Sequence, residues 1–111
     1  MTDAKLLELA ARAHGGLEHV PDMGWIHVDA KGQRGAWWNP LGDDGDALRL
    51  AVTLALEVYH SINNDRWTVF VGYPKDQRIV YAMEEYGDDE YAATRRAIVR
   101  AAAEIGRSCN G

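Results

Sequence analysis

The chain has 111 residues, of which 47% are hydrophobic and 26% are charged, and its formal net charge is −5 at pH 7. This length and composition predict one folded domain over residues 1–111 and exclude a disordered chain. The acidic balance disfavours a general attraction to nucleic-acid phosphates or anionic lipid. The single cysteine, Cys109, excludes an internal disulfide framework and a zinc site built on several cysteines.

The first elements are a helix and a pair of short strands. Residues 3–14 place Leu6 and Leu9 on one stripe, which predicts an amphipathic helix ended by Gly15 and Gly16. Residues 25–28 have strand composition, and residues 36–39 pair with them across a polar turn until Pro40 stops the ladder.

A second helix is predicted over residues 44–55, because the acidic run at 43–46 supplies carboxylates that cap free amides. Its apolar positions outnumber its polar ones, so we expect it to be buried more deeply than the first helix. The longest apolar run, 48–56, is far too short to span a bilayer, and no secretory signal follows Met1. We therefore expect a cytoplasmic protein with no membrane partner.

Residues 56–83 predict three strands joined by short turns, which is an antiparallel meander. Apolar side chains such as Val69 and Phe70 point to opposite faces, so we expect helices on both faces of the sheet. A third helix is predicted over 89–105, opened by acidic residues and ended by Gly106. The expected fold is therefore α+β, a three-layer α/β/α sandwich around a mostly antiparallel sheet of three to five strands.

Two segments carry a family resemblance. They are residues 38–52, with WNPL and DDGDALRLAV, and residues 93–106, with ATRRAIVRAAAEIG. Both are similar to signature blocks of the phage ABA sandwich domain family, which comprises small phage and prophage proteins. The resemblance implies an α/β/α sandwich and an origin in a phage or prophage, and it implies no catalytic residue, cofactor or substrate.

Catalytic motifs are not found in the sequence. The histidines do not have the spacing of a zinc protease, and neither Ser61 nor Ser108 lies in a nucleophile elbow. We predict no cofactor and favour a protein that is not an enzyme. The alternative is a small-molecule or metal-binding enzyme with a site near His27 and His60, which lie on predicted strands.

Three groups of residues are candidate partner contacts. Adjacent residues of an extended segment point to opposite sides, so one tryptophan of the pair 37–38 belongs to the core and the other is a contact residue. The acidic run at 84–90 either imitates nucleic-acid phosphates or simply caps the last helix. Arginines of that helix either hold an anion or pair with carboxylates. The candidates are Trp37, Trp38, Glu84, Glu85, Asp88, Asp89, Arg95 and Arg96.

The leading hypothesis is a small phage or prophage accessory protein of a bacterial host cell that binds a host or phage protein without catalysis. A nucleic-acid binder that uses the arginine face, or an acidic nucleic-acid mimic, is a third hypothesis. A homodimer also stays open, because an open antiparallel sheet has two edges that must be covered, charged or paired.

Overall fold

The computed structural model describes residues 1–76 and 78–108. Its helices are α1 Asp3–His14, α2 Asp44–Thr53 and α3 Glu90–Ser108. Its strands are β1 Leu17–Val20, β2 Gly24–Val28, β3 Arg34–Trp38, β4 Glu57–Asn63, β5 Arg66–Tyr73 and β6 Arg78–Glu85, with a 3₁₀ turn at Pro74–Asp76. The prediction of an α+β chain with three helices is confirmed. Within the described ranges, no helix is long and apolar enough to cross a membrane.

Helices α1 and α2 begin at side-chain caps, and α1 ends at the predicted glycine. The Thr2 side chain accepts a hydrogen bond from the Lys5 amide at 3.1 Å, and Gly15 ends α1 with a φ of 77°. At α2, the Asp43 carboxylate accepts from the Asp46 amide at 2.8 Å. The prediction that the acidic run at 43–46 caps a helix is therefore confirmed.

Strands β1, β2 and β3 form an N-terminal sheet, in which all neighbours are antiparallel. The pairing of β2 with β3 across the polar turn is confirmed. The sequence does not predict β1, because Glu18 and His19 occupy the middle of a four-residue segment and leave no apolar alternation. Glu18 and Arg34 bridge the two edge strands at 2.9 Å.

Strands β4, β5 and β6 form a C-terminal sheet, which confirms the antiparallel meander over 56–83. The two residues between β4 and β5, Asn64 and Asp65, have φ values of 52° and 61°. Positive φ at both central residues is the type I′ geometry that matches the twist of a two-residue hairpin. Asn63 and Arg66 consequently face each other as the first pair of the ladder.

Helix α3 is the centre of the core. It makes its most extensive contact with α1, also contacts α2, and covers one face of β5 and β6. A Cβ atom on Gly106 would lie 1.9 Å from the Leu9 carbonyl oxygen, so the backbones of α1 and α3 touch at this point. The prediction that Gly106 ends the third helix is wrong, because α3 continues to Ser108 and needs a glycine for this contact.

The layers differ from the expected sandwich, since the strands form two separate sheets rather than one. Val69 and Val71 are fully buried beneath α3, whereas Met83 on the opposite face of the C-terminal sheet is 46% exposed. On that face, the Phe70 ring stacks on Tyr59 with the centroids 5.1 Å apart. The three-layer arrangement is therefore not confirmed, because apolar residues on this face pack against each other and not beneath a helix.

The prediction that α2 is buried more deeply than α1 is not confirmed, because each helix has four buried residues. Ala47, Leu50 and Ala51 face the core, but Leu48 is 64% exposed and Val52 is 70% exposed. The only extensive contact of α2 with another described element is with α3, so one apolar side of α2 is left uncovered.

Candidate protein-binding site

A cavity of about 440 Å³ opens between α2, the first turns of α3 and the face of the C-terminal sheet that carries Val69 and Val71. Val58, His60 and Tyr86 form its floor, because alternate residues along each strand point to the same face. The two helices supply the walls: Asp44, Ala47, Leu48, Ala51, Glu90, Tyr91, Thr94, Arg95 and Ile98.

A second hollow of about 420 Å³ adjoins this cavity, and both are lined by Tyr86 and Glu90. The other lining residues of the second hollow are Arg66, Trp67, Glu85 and Gly87. We refer to the two hollows together as the Tyr86 groove. One half of the groove is apolar and the other half combines aromatic rings with carboxylates.

Tyr86 connects the two halves of the groove. Its hydroxyl group and the His60 Nδ1 atom are hydrogen-bonded at 2.5 Å. Its ring is nearly parallel to the Trp67 ring, with an interplanar angle of 17° and the centroids 6.1 Å apart. Trp67 is 54% exposed, so the outer part of this aromatic pair is accessible to a partner.

The turn before α3 positions the acidic side of the groove. Gly87 has a φ of 59°, a conformation that glycine adopts without strain, and it lets the chain turn sharply after β6. The Asp89 carboxylate accepts hydrogen bonds from the Tyr91 and Ala92 amides, both at 3.0 Å. The prediction that acidic residues cap the last helix is confirmed, and this cap holds Glu90 and the 63% exposed Tyr91 at the margin of the groove.

The carboxylates around the groove are only partly neutralised. Arg66 pairs with Glu85 at 3.3 Å, and Arg95 pairs with Asp44 at 2.7 Å. The exposed Glu90 carboxylate, which lines both hollows, makes no ion pair with any described residue. The groove therefore carries a negative charge that is available to a cationic partner.

The tryptophan pair of β3 divides as predicted. Trp38 is 3% exposed and belongs to the core, whereas Trp37 is 47% exposed. Trp38 is accordingly inaccessible as a partner contact. Trp37 lies on the N-terminal sheet, where it pairs with Ile26, and it does not line the Tyr86 groove.

The predicted charged contacts are also divided. Glu84 is ion-paired with Arg100, which additionally donates to the Met83 carbonyl oxygen. Arg95 donates to the Leu41 carbonyl oxygen as well as to Asp44, and Arg96 pairs with Asp3 at 3.0 Å. The arginine face of α3 therefore contacts α1, α2 and β6, and the predicted contacts that line the groove are Glu85 and Arg95.

His27 and His60 lie in different sheets and have different neighbours. The His27 ring contacts His14 at a centroid distance of 5.8 Å, while the His60 ring contacts Tyr86. Among the described residues, no three histidine, cysteine or carboxylate side chains converge in a way that could hold a metal ion.

The carboxyl groups with a lowered pKa lie outside the groove. A hydrogen bond from Arg34 and its charge lower the pKa of Glu18, and the same contact raises the pKa of Arg34. Lys5 lowers the pKa of Glu8 in the same way. These are exposed ion pairs, which stabilise a fold only slightly, and they do not form an acid–base site.

Sequence reasoning did not identify the main aromatic residues of the groove. In the sequence, Trp67 is far from Tyr86, and a turn separates Tyr86 from Tyr91. Each of the three also fits an ordinary strand or helix pattern, so none of them stands out. The exposure of Leu48 and Val52 could have been predicted from the sequence. Helix α2 carries apolar residues on more than one side, and a small domain cannot cover every side of a helix.

Comparisons with known proteins returned no match: no family model, no curated protein and no solved structure matches this chain.

Proposed function

We propose that this chain is a non-catalytic accessory protein that binds another protein through the Tyr86 groove. The observation that carries the proposal is a pair of adjoining hollows in which exposed apolar and aromatic side chains stand beside the Glu90 carboxylate, which has no ion-pair partner among the described residues. Exposed apolar patches with a polar rim are typical of interaction sites, and tryptophan and tyrosine contribute much of the binding energy at such sites.

The charge of the groove selects the chemistry of the partner, which is an amphipathic segment with basic residues on one flank. Its apolar side chains enter the cavity beside Leu48 and Tyr91. Its lysine or arginine side chains lie over the Trp67–Tyr86 pair, where cation–π attraction adds to the attraction of Glu90. The helix-in-groove mode of recognition uses this combination of apolar anchors and flanking charge.

The resemblance of residues 38–52 and 93–106 to the phage ABA sandwich domain family is the reason to propose a phage or prophage protein. The proposed partner is then a host or phage protein in the cytoplasm of a bacterial cell. The α/β/α layering implied by that family belongs to this proposal as well.

Selection from a random peptide library against the whole chain tests the chemistry of the partner. We expect the enriched peptides to combine lysine or arginine with apolar residues. Their affinity should fall by roughly thirtyfold on Trp67→Ala, since a tryptophan hot spot contributes about 2 kcal/mol. Glu90→Lys, which reverses an exposed charge, should weaken the same peptides further.

The matched control is Trp37→Ala, because Trp37 and Trp67 are about equally exposed but lie in different sheets. This variant should bind the selected peptides like the wild type. Peptides without basic residues, or peptides that tolerate Trp67→Ala and lose affinity on Trp37→Ala, would contradict the proposed site.

A small-molecule binder is the second candidate, favoured by the apolar cavity and by the hydrogen-bonded His60–Tyr86 pair on its floor. A thermal-shift screen of small aromatic compounds tests it. A compound that stabilises the wild type and the Trp67→Ala variant, but not His60→Ala, would favour this candidate over the protein binder.

A further inference from the structure

We infer that β4 is a homodimer interface, in which two copies of the chain pair their β4 strands antiparallel with His60 at the two-fold axis. The inference concerns the outer edge of the C-terminal sheet and does not rest on the proposed function. The pairing would join two three-stranded sheets into one continuous sheet of six strands.

The outward backbone groups of β4 can be assigned. The Tyr86 amide donates to the Trp67 carbonyl oxygen at 3.0 Å, so the backbone groups of Trp67 face β6. Because these groups alternate in direction along an antiparallel strand, those of Thr68 and Phe70 face β4. Their partners in register are Ser61 and Tyr59.

The backbone groups of the intervening residues, Val58, His60 and Ile62, consequently point away from β5. The hairpin turn gives the same assignment independently, because a type I′ turn is closed by a hydrogen-bonded pair, here Asn63 with Arg66. These three residues therefore present a row of backbone donors and acceptors that have no partner among the described residues.

The edge at β4 lacks the features that normally prevent pairing. Proteins protect sheet edges with proline, lysine, bulges or very short strands. The seven residues of β4 include neither proline nor lysine, and their register with β5 has no shift. Glu57, at the first position, is the only acidic residue of the strand.

The other edges are better protected. At β6, the register with β5 shifts between Val71 and Tyr73, and Arg100 donates to the outward Met83 carbonyl oxygen at 3.0 Å. In the N-terminal sheet, β1 has four residues and β3 adjoins a register shift between Ile26 and Val28. The long, regular and uncapped edge is the one at β4.

The sequence of β4 is complementary to itself when His60 faces its copy. In this register, Val58 opposes Ile62 on the helix-bearing face, and Tyr59 opposes Ser61 on the other face. Glu57 opposes Asn63, so no like charges meet across the interface. Each residue whose backbone groups point outward is paired with such a residue of the other copy, because the sequence numbers of paired residues differ by an even number.

Exposed apolar surface lies at the same edge. Ile62 belongs to the edge strand β4, and its side chain lies on the same face of the sheet as Val58 and His60. It is nevertheless 59% exposed. Leu48 and Val52, four residues apart on α2, are also exposed, and Leu48 lines the cavity with Val58 and His60. A second copy would place Ile62 opposite Val58 and remove apolar surface of the two paired strands from water.

Sedimentation equilibrium tests the association, since a chain of 12.3 kDa should appear with twice that mass. The matched variant is Ile62→Lys, which places a charge at an exposed edge position and should weaken the dimer at least tenfold while leaving the circular dichroism spectrum unchanged. A wild-type chain that remains monomeric up to about 1 mM would overturn the inference.

Cysteine cross-linking tests the register, in a Cys109→Ser background. His60→Cys should form a disulfide between two copies, because directly opposed residues of a hydrogen-bonded pair have Cα atoms about 5.5 Å apart. Ser61→Cys should cross-link poorly, because its counterpart lies diagonally across the axis. Efficient cross-linking at position 61 with none at position 60 would exclude the proposed register.

Discussion

Replacing Gly106 by alanine should destabilise the fold, although alanine is the better helix former. A Cβ atom at this position would lie 1.9 Å from the Leu9 carbonyl oxygen and 2.7 Å from the Leu9 carbonyl carbon. Ordinary van der Waals contact begins near 3.4 Å, so α1 and α3 would have to move apart by about 1.5 Å here. Side-chain rotation offers no relief, because both groups belong to the backbone.

The expected cost follows from two opposing terms. Overpacking at a tight contact costs up to about 3 kcal/mol, and the higher helix propensity of alanine returns about 1 kcal/mol. The free energy of unfolding should therefore fall by about 2 kcal/mol. Because α1 makes the most extensive helix contact with α3, Leu6 and Leu9 in the core would lose part of their packing.

Urea unfolding followed by tryptophan fluorescence measures this change, since Trp38 is buried and becomes exposed on unfolding. Gly45→Ala is the matched control, because Gly45 also lies in a helix. Its added Cβ would meet the ends of the Arg49 and Asp43 side chains, at 3.0 Å and 3.2 Å, and no backbone atom; because Asp43 caps α2, the stability should change by no more than about 1 kcal/mol, the contribution of such a cap. A Gly106→Ala protein as stable as the wild type would refute the close contact of α1 with α3.

Three further predictions concern polar contacts. Asp46→Ala should lower stability by about 2 kcal/mol in urea, because it leaves the Asn39 amide without its acceptor at 2.9 Å; unchanged stability would count against this bond. Asp89→Ala should lower the free energy of unfolding by about 1 kcal/mol in the same assay, because it removes the cap of α3. An unchanged free energy of unfolding would show that this cap does not stabilise the fold. Arg34→Gln should return the lowered pKa of Glu18 to its ordinary value of 4.5 in an NMR titration. The ion pair stabilises the fold above that pH and is lost as the pH falls through the lowered pKa, so an unchanged pKa would contradict the contact.

Local patterns in the sequence are sufficient to predict most of the elements. The stripe of Leu6 and Leu9, the acidic caps of α2 and α3, and the turn at Asn64 and Asp65 each act within a few residues of the chain. Short turns also oblige consecutive strands to be antiparallel neighbours, so the meander follows from the sequence without knowledge of the rest of the fold.

The groove could not be predicted in the same way. Glu85 was identified because it belongs to an acidic run, but Trp67, Tyr86 and Leu48 become neighbours only when α2 and α3 pack on the C-terminal sheet. Trp37 and Trp38 could be divided into one core and one surface residue by alternation along a strand. The sheet to which they belong, remote from the groove, is a tertiary property.

What the sequence by itself determined is the kind and order of the elements, because hydrogen bonding and side-chain periodicity act over short distances along the chain. The tertiary structure alone decided that the strands form two sheets, that Gly106 is a helix contact and that one side of α2 stays uncovered. Those outcomes depend on which surfaces exclude water together, and that depends on the shapes of residues that are distant in the chain.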